Sequence, residues 1–384
     1  MIRNLALLMA ITALAVYGAY IVLTRDDATT TARPAGPVLP GLARAVDTVS
    51  AVRVTGADDT LIADIRRDGD RWVVGNRHDY PADVATLREV VTALATAERL
   101  ETKTSNPEFY ARLGVRSVDN EAAEGVLVEV VHGDARSAII VGHADARGGT
   151  ATYVRPATEA QSLLVSGQIS PPQETTEWLA ADIARIAFER IQAVEVARAE
   201  GERYVLSRPD RNASHLQPQS LPDGRELSWA GAADSVGRAL ANLNLVDVSP
   251  RADTDIAADQ AHVLTYRTFD GLVVEVTAIP SGATGEPPRL ALDARFDAEQ
   301  AARFAEADAE SGGEDASAAD NASDEIPEAV APAVDAEAEA RRLEARWSPW
   351  LFEIDPSVFS RLDRTLEDFL SPRDGDAQTD EASP

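Results

Sequence analysis

The chain has 384 residues, 45% of them hydrophobic, with 36 basic against 64 acidic side chains and a formal net charge of −28. That length allows two or three domains, and the apolar fraction is that of a globular protein. The charge leaves no basic face for nucleic acid, and the absence of cysteine excludes disulfides, thiol catalysis, iron–sulfur clusters and thiolate zinc sites.

Asn4 to Leu23 carries no charged residue and, as a helix, would span about 30 Å, the thickness of a bilayer core. Arg3 lies before it and Arg25, Asp26 and Asp27 after it, so the positive-inside rule favours a cytoplasmic N-terminus and an exported body. The run is longer than a signal-peptide core, and its Ala13-x-Ala15 falls mid-run. The expectation is an uncleaved transmembrane anchor over 1–24, placing the protein in the inner membrane with its C-terminal body on the periplasmic side. Thr29 to Pro40, with three prolines, makes 25–47 a flexible linker.

The next elements follow from periodicity. VSAVRV (Val49 to Val54) reads as a strand, and LIADIRRDGDRWVV (Leu61 to Val74) as a hairpin turning at Asp68-Gly69. A helix runs from Val84 to about Leu100, with Val84, Leu87, Val91 and Leu94 on one face and Asp83 as its N-cap. NPEFYARLGV (Asn106 to Val115) has a capping asparagine, a proline in the first turn and a terminating glycine, the signature of a short helix. Strands follow at 126–133, 137–142, 152–156 and 162–167, then a closing helix near Thr175 to Arg185.

The second half repeats this order. IQAVEV (Ile191 to Val196) matches VSAVRV, GERYVL (Gly201 to Leu206) mirrors GDRWVV (Gly69 to Val74), and Val236, Leu240 and Leu243 form a helical stripe. Strands at 262–271, 272–280, 289–296 and 349–355 follow, then a closing helix from Ser357 to Leu370. The expected fold class is therefore α+β: an N-terminal transmembrane helix, then two tandem, mutually similar modules of mostly antiparallel sheet with helices on one face, over 48–185 and 186–372. An insert at 297–345 carries 15 acids and 3 bases. It is expected to be disordered over 306–334 with helical flanks, and an acidic tail covers 373–384.

Five motifs in order, GDRWVV, YPAD (Tyr80 to Asp83), NPEFYARLGV, Val141-Gly142 and YVRP (Tyr153 to Pro156), resemble the bacterial domain-of-unknown-function family 4340. That family is similar to auxiliary proteins of ABC-type transport systems. The resemblance implies a membrane-tethered envelope protein that serves a transporter. It carries over no catalytic residues.

No catalytic, cofactor-binding or metal-binding residue is expected. His132-Gly-Asp134 and His143-Ala-Asp145 hold ligand-type side chains, but at strand ends where such residues are commonly exposed. Lys103, the sole lysine, reads as solvated, and SGATG (Ser281 to Gly285) lacks the form of a nucleophile elbow. Trp72 and Tyr204 read as core or rim residues. The function expected is a single-pass, membrane-anchored extracytoplasmic binding or scaffold protein, not an enzyme, with protein partners such as transporter subunits. The alternatives are an envelope hydrolase using paired carboxylates and a solute-binding domain.

Overall fold

The computed structural model describes residues 36–146, 150–254, 256, 260–282, 285–315 and 335–372. The chain divides into two compact units, Met1–Leu179 and Ala180–Pro384, parting a few residues before the expected boundary at 185.

The first unit contains strands β1 (Val49–Thr55), β2 (Leu61–Asp68), β3 (Arg71–Val74), β4 (Tyr80–Pro81), β5 (Arg99–Thr102), β6 (Val126–His132), β7 (Ala135–Ala144), β8 (Ala151–Pro156) and β9 (Leu163–Ser166). They form one nine-stranded sheet in the order β4-β3-β2-β1-β6-β7-β8-β9-β5. Every pairing is antiparallel. In β1 the register shifts between Val49 and Ala51. This bulge lets Val49, Val52 and Val54 all be buried although the first step between them is three residues. The β2–β3 turn needs Gly69, whose φ of 60° is a left-handed conformation open to glycine at no steric cost.

Two helices accompany this sheet: α1 (Pro40–Ala45) and α2 (Val84–Thr96). The Asp83 carboxylate accepts hydrogen bonds from the Ala85 and Thr86 amides at 2.8 and 3.3 Å, which satisfies donors the first turn would leave free. Leu87, Val90, Val91 and Leu94 recur at helical spacing and are buried. Burying each such side chain contributes about 1.5–3 kcal/mol, so this stripe rather than helix propensity holds α2 in place.

The second unit contains β10 (Asp182–Ala184), β11 (Ile191–Ala197), β12 (Arg203–Ser207), β13 (Gln217–Pro218), β14 (Leu243–Asn244), β15 (Asp247–Pro250), β16 (His262–Thr268), β17 (Leu272–Ile279), β18 (Arg289–Phe296) and β19 (Trp350–Glu353). Eight of them form an antiparallel sheet in the order β13-β12-β11-β16-β17-β18-β19-β15, while β10 and β14 pair separately. Its helices are α3 (Asp234–Gly237), α4 (Ala298–Asp315), α5 (Ala336–Trp347) and α6 (Pro356–Leu362).

The structure corrects the expected fold class. Among the described residues no helix is long and apolar enough to cross a membrane. The run expected as a transmembrane helix, Asn4 to Leu23, lies outside the described residues. The longest described helix, α4, carries acidic residues along its length. The fold is mostly antiparallel sheet with few helices. An apolar run shows that a segment can partition into hydrocarbon; it does not by itself make a helix part of the fold.

Several elements are shorter than their periodicity suggested. The helix expected near Thr175 to Arg185 is a 3₁₀ turn, Thr175–Trp178, followed by β10. The stripe Val236, Leu240, Leu243 spans α3, a 3₁₀ turn at Arg238–Leu240 and strand β14. The closing helix ends at Leu362, with a separate 3₁₀ turn at Glu367–Phe369. The likeness of GDRWVV to GERYVL also misassigns sheet position. RWVV is β3, which pairs with β2, whereas RYVLS is β12, which pairs with β11 in the way β2 pairs with β1. A Gly-x-Arg-aromatic turn marks any hairpin and carries no address within a sheet.

The flanks of the acidic insert are helical as expected, and α4 extends to Asp315, into the stretch read as disordered; 316–334 lie outside the described residues. α5 is docked by charge and by burial. Arg190 donates to Asp270 at 2.8 Å and holds both Glu339 oxygens, at 2.6 and 3.0 Å. Trp347 is fully buried and donates from its indole to the Ile183 carbonyl at 2.9 Å. Replacing Glu339 with alanine leaves Arg190 with one carboxylate. The expected result is a loss of about 2 kcal/mol of local stability, read as faster amide exchange across α5 while β16 and β17 remain protected.

Candidate functional site

The first unit has a groove of about 480 Å³ bounded by α2, the β2–β3 hairpin and the segment entering β1. Its apolar lining comes from Trp72, Val84, Leu87 and Val91, and its charged lining from Arg67, Arg88 and Asp47. Strand alternation places these groups. Trp72 pairs across the hairpin with Arg67, so indole and guanidinium project from one cross-strand position. Leu87 and Val91 sit one turn apart on α2, and Arg88 stands at the edge of the same stripe.

Val46 and Val84 remain 37% and 39% exposed at the mouth. Arg67 donates to the Gly69 carbonyl at 3.1 Å. Among the described residues neither Arg67 nor Arg88 has a carboxylate partner, whereas Arg53 on β1 and Arg66 on β2 pair with Asp64 and Asp79. An apolar floor beneath two unpaired cations suits a ligand that is apolar at its centre and anionic at its rim.

The other residues singled out by type are placed as follows. His132 is buried, 4% exposed, with its Nε2 atom 2.9 Å from the Ser137 hydroxyl, so the expectation that it lies in an exposed turn fails. His143 faces Glu124 at 2.8 Å, and Asp145 accepts from the Tyr153 hydroxyl at 3.1 Å. Each of the two histidines thus engages a different partner. Lys103 is not solvated as expected: it pairs with Glu101 and lies 5.7 Å from the Tyr153 ring centre. Tyr204 is buried and donates to the Arg364 carbonyl at 2.7 Å. Burial pushes its phenol well above the usual range. Among the described residues no three His, Asp or Glu side chains converge as a metal site.

One titratable cluster in the second unit has a pH consequence. His262 is buried and accepts the Ala199 amide on Nδ1 at 3.0 Å, which requires that nitrogen to be unprotonated. Its Nε2 lies 3.2 Å from Asp363, which also binds Arg198 at 2.6 Å. Burial, then the Arg198 charge, lower the His262 pKa below 6.5, outweighing Asp363 and Glu200. A lowered folded value means that the unfolded chain takes up the proton first. The stabilisation is complete above the unfolded value near 6.5 and is lost as pH falls through the folded one. Urea midpoints taken from pH 7.5 to pH 5 are expected to fall more steeply for the native chain than for His262→Gln.

The motifs NPEFYARLGV, Val141-Gly142 and YVRP come together as a packing unit. A 3₁₀ turn at Pro107–Leu113 crosses β7 so closely that a Cβ on Gly142 would lie 2.2 Å from the Leu113 carbonyl oxygen. Arg155, 6% exposed, donates to the Val115 carbonyl and the Ser117 hydroxyl at 3.0 Å each and lies 4.8 Å from the Tyr110 ring centre. These residues build the scaffold of the first unit and leave the groove to others. Of the groove residues, the sequence marks Trp72 as a core or rim residue and Val84, Leu87 and Val91 as a helical stripe, but neither arginine. The unpaired state of Arg67 and Arg88 depends on which carboxylates fold elsewhere.

The fold and the groove define a class: a tandem antiparallel-sheet protein with a surface groove in its first unit. Residues 72–261 match the family described as Domain of unknown function (DUF4340), and the chain resembles that family over this span, which begins at Trp72 in β3 and ends just before β16. No curated protein and no solved structure matches the chain.

Proposed function

We propose that the protein is a binding or scaffold protein acting outside the cytoplasm, that it captures a protein partner through the groove of its first unit, and that subunits of an ABC-type transport system are the partner class. The observation that carries this reading is the pairing of a half-buried Trp72 and exposed apolar rim with Arg67 and Arg88, two cations free of ion pairs in a chain of net charge −28. Such a chain repels acidic surfaces in general, so a locally cationic groove selects where an acidic partner can land.

The test is affinity capture from solubilised envelopes. The native chain is expected to recover transporter subunits, and Arg67→Glu with Arg88→Glu to reduce recovery about tenfold or more. Equal recovery by both proteins, with both folded, would refute the reading.

A further inference from the structure

The two sheets can be aligned residue by residue through their hydrogen bonds. Ala51 pairs with Arg66 and Val131, and Ala193 with Ser207 and Arg267. A bulge precedes each alanine, after Val49 in one strand and Ile191 in the other. A 3₁₀ turn enters each strand, Val46–Thr48 and Phe188–Arg190. The amide of Gly133 then donates to Thr48 as that of Phe269 donates to Arg190. Across the next hairpin, Arg66 faces Val73, and Ser207 faces Gln217. It follows that Arg67 corresponds to Arg208, Trp72 to Leu216, Val46 to Phe188 and Gly133 to Phe269.

In the second unit these positions make a plug. Arg208 is 3% exposed and donates to the carbonyls of Phe188, Glu189 and Ile191. Its guanidinium lies 4.9 Å from the Phe188 ring centre and 5.3 Å from that of Phe269. On the helical side the backbone comes in at Gly237, where a Cβ would lie 2.6 Å from Leu216 and 2.7 Å from Phe188. In the first unit valine and glycine replace the two phenyl rings, Thr92 lines the helical side, and Arg67 is exposed. The space filled by a phenyl ring against a guanidinium in one unit is open in the other.

We propose that the groove of the first unit is the vacated counterpart of this plug, and that it seats an aromatic side chain from an acidic peptide segment of the partner, with Arg67 against the ring and Arg88 on a flanking carboxylate. This rests on the reading of the groove as the partner site. The occupant's ring follows from Phe188 and Phe269, and its carboxylates from the two unpaired cations.

The probe is an acetylated, amidated Glu-Asp-Phe-Glu-Asp pentapeptide titrated into the full chain by calorimetry, beside the same peptide with Leu for Phe and with Gln and Asn for the acids. The Phe peptide is expected to bind about three- to tenfold more tightly than the Leu peptide, and the neutral peptide about tenfold more weakly. Val46→Phe with Thr92→Gly rebuilds the plug. It is expected to abolish peptide binding while leaving the thermal midpoint within about 4 °C, since ring burial offsets the helical glycine. Arg67→Gln with Arg88→Gln touches no core residue, stays folded, and is expected to weaken the Phe peptide about tenfold or more.

Equal affinity for the Phe and Leu peptides, no binding of either, or undiminished binding by the glutamine variant overturns the inference. If envelope capture still depends on Arg67 and Arg88 in that event, only the aromatic occupant is lost. If capture is indifferent to them, the partner site itself falls.

Discussion

Replacing Arg208 with methionine is expected to destabilise the second unit by about 3–5 kcal/mol, whereas Arg67→Met in the first unit changes stability by no more than about 0.5 kcal/mol. Each arginine directly follows the residue that pairs with the equivalent alanine, Arg66 with Ala51 and Ser207 with Ala193, so the contrast isolates environment from position in the sheet. Arg208 donates to carbonyls from Phe188 to Ile191 and to Ala213 at 3.2 Å, and burial holds its pKa below the ordinary arginine value. Methionine keeps the hydrocarbon stem and removes every donor. The carbonyls then lose charged partners worth about 1.5–3 kcal/mol each, less what water and relaxation recover. Arg67 is exposed and makes one hydrogen bond, to Gly69. Urea unfolding of the two variants gives the comparison directly, and equal midpoints would show that the second-unit plug contributes nothing.

Trp178→Ala is the other large effect, expected at about 3–5 kcal/mol on the first unit. The indole is fully buried and donates to the Pro172 carbonyl at 3.2 Å. The Trp178 carbonyl accepts the Asp83 amide at 2.8 Å, and Ala82 forms a bridge with Leu179. This contact holds the residue that caps α2, and α2 is a wall of the groove. The cavity therefore loosens the groove as well as the core, and peptide binding is expected to fail at temperatures where the second unit is still folded. Calorimetric unfolding resolves this as a lowered first transition beside an unchanged second one.

Alternation of buried valines in VSAVRV and IQAVEV was readable, because period two is a direct consequence of pleating. The α2 stripe and its Asp83 cap were readable for the same kind of reason, since both are set within one or two turns of chain. The two-versus-three spacing of Val49, Val52 and Val54 also sits in the sequence. Its meaning, a bulge, needs the partner strand. The short 3₁₀ turns at Thr175–Trp178 and Arg238–Leu240 were overestimated because an apolar stripe fits a helix whether or not the sheet leaves room for one.

The candidate site was less legible than the fold. Arg67 and Arg208 look alike as arginines at the end of a strand, yet one is exposed beside a groove and the other is enclosed between two rings. What separates them is Val46 against Phe188 and Gly133 against Phe269, residues remote in the chain from either arginine. His132 likewise looked like a turn residue until β7 brought Ser137 against it. From sequence alone came the acidic balance, the absence of thiol chemistry, the longer strands, the capped helix and the order of motifs, because composition and local periodicity act over a few residues. Tertiary structure alone decided sheet order, which arginines lack a counter-charge and where space stays open, because each of these depends on groups brought together across scores of residues.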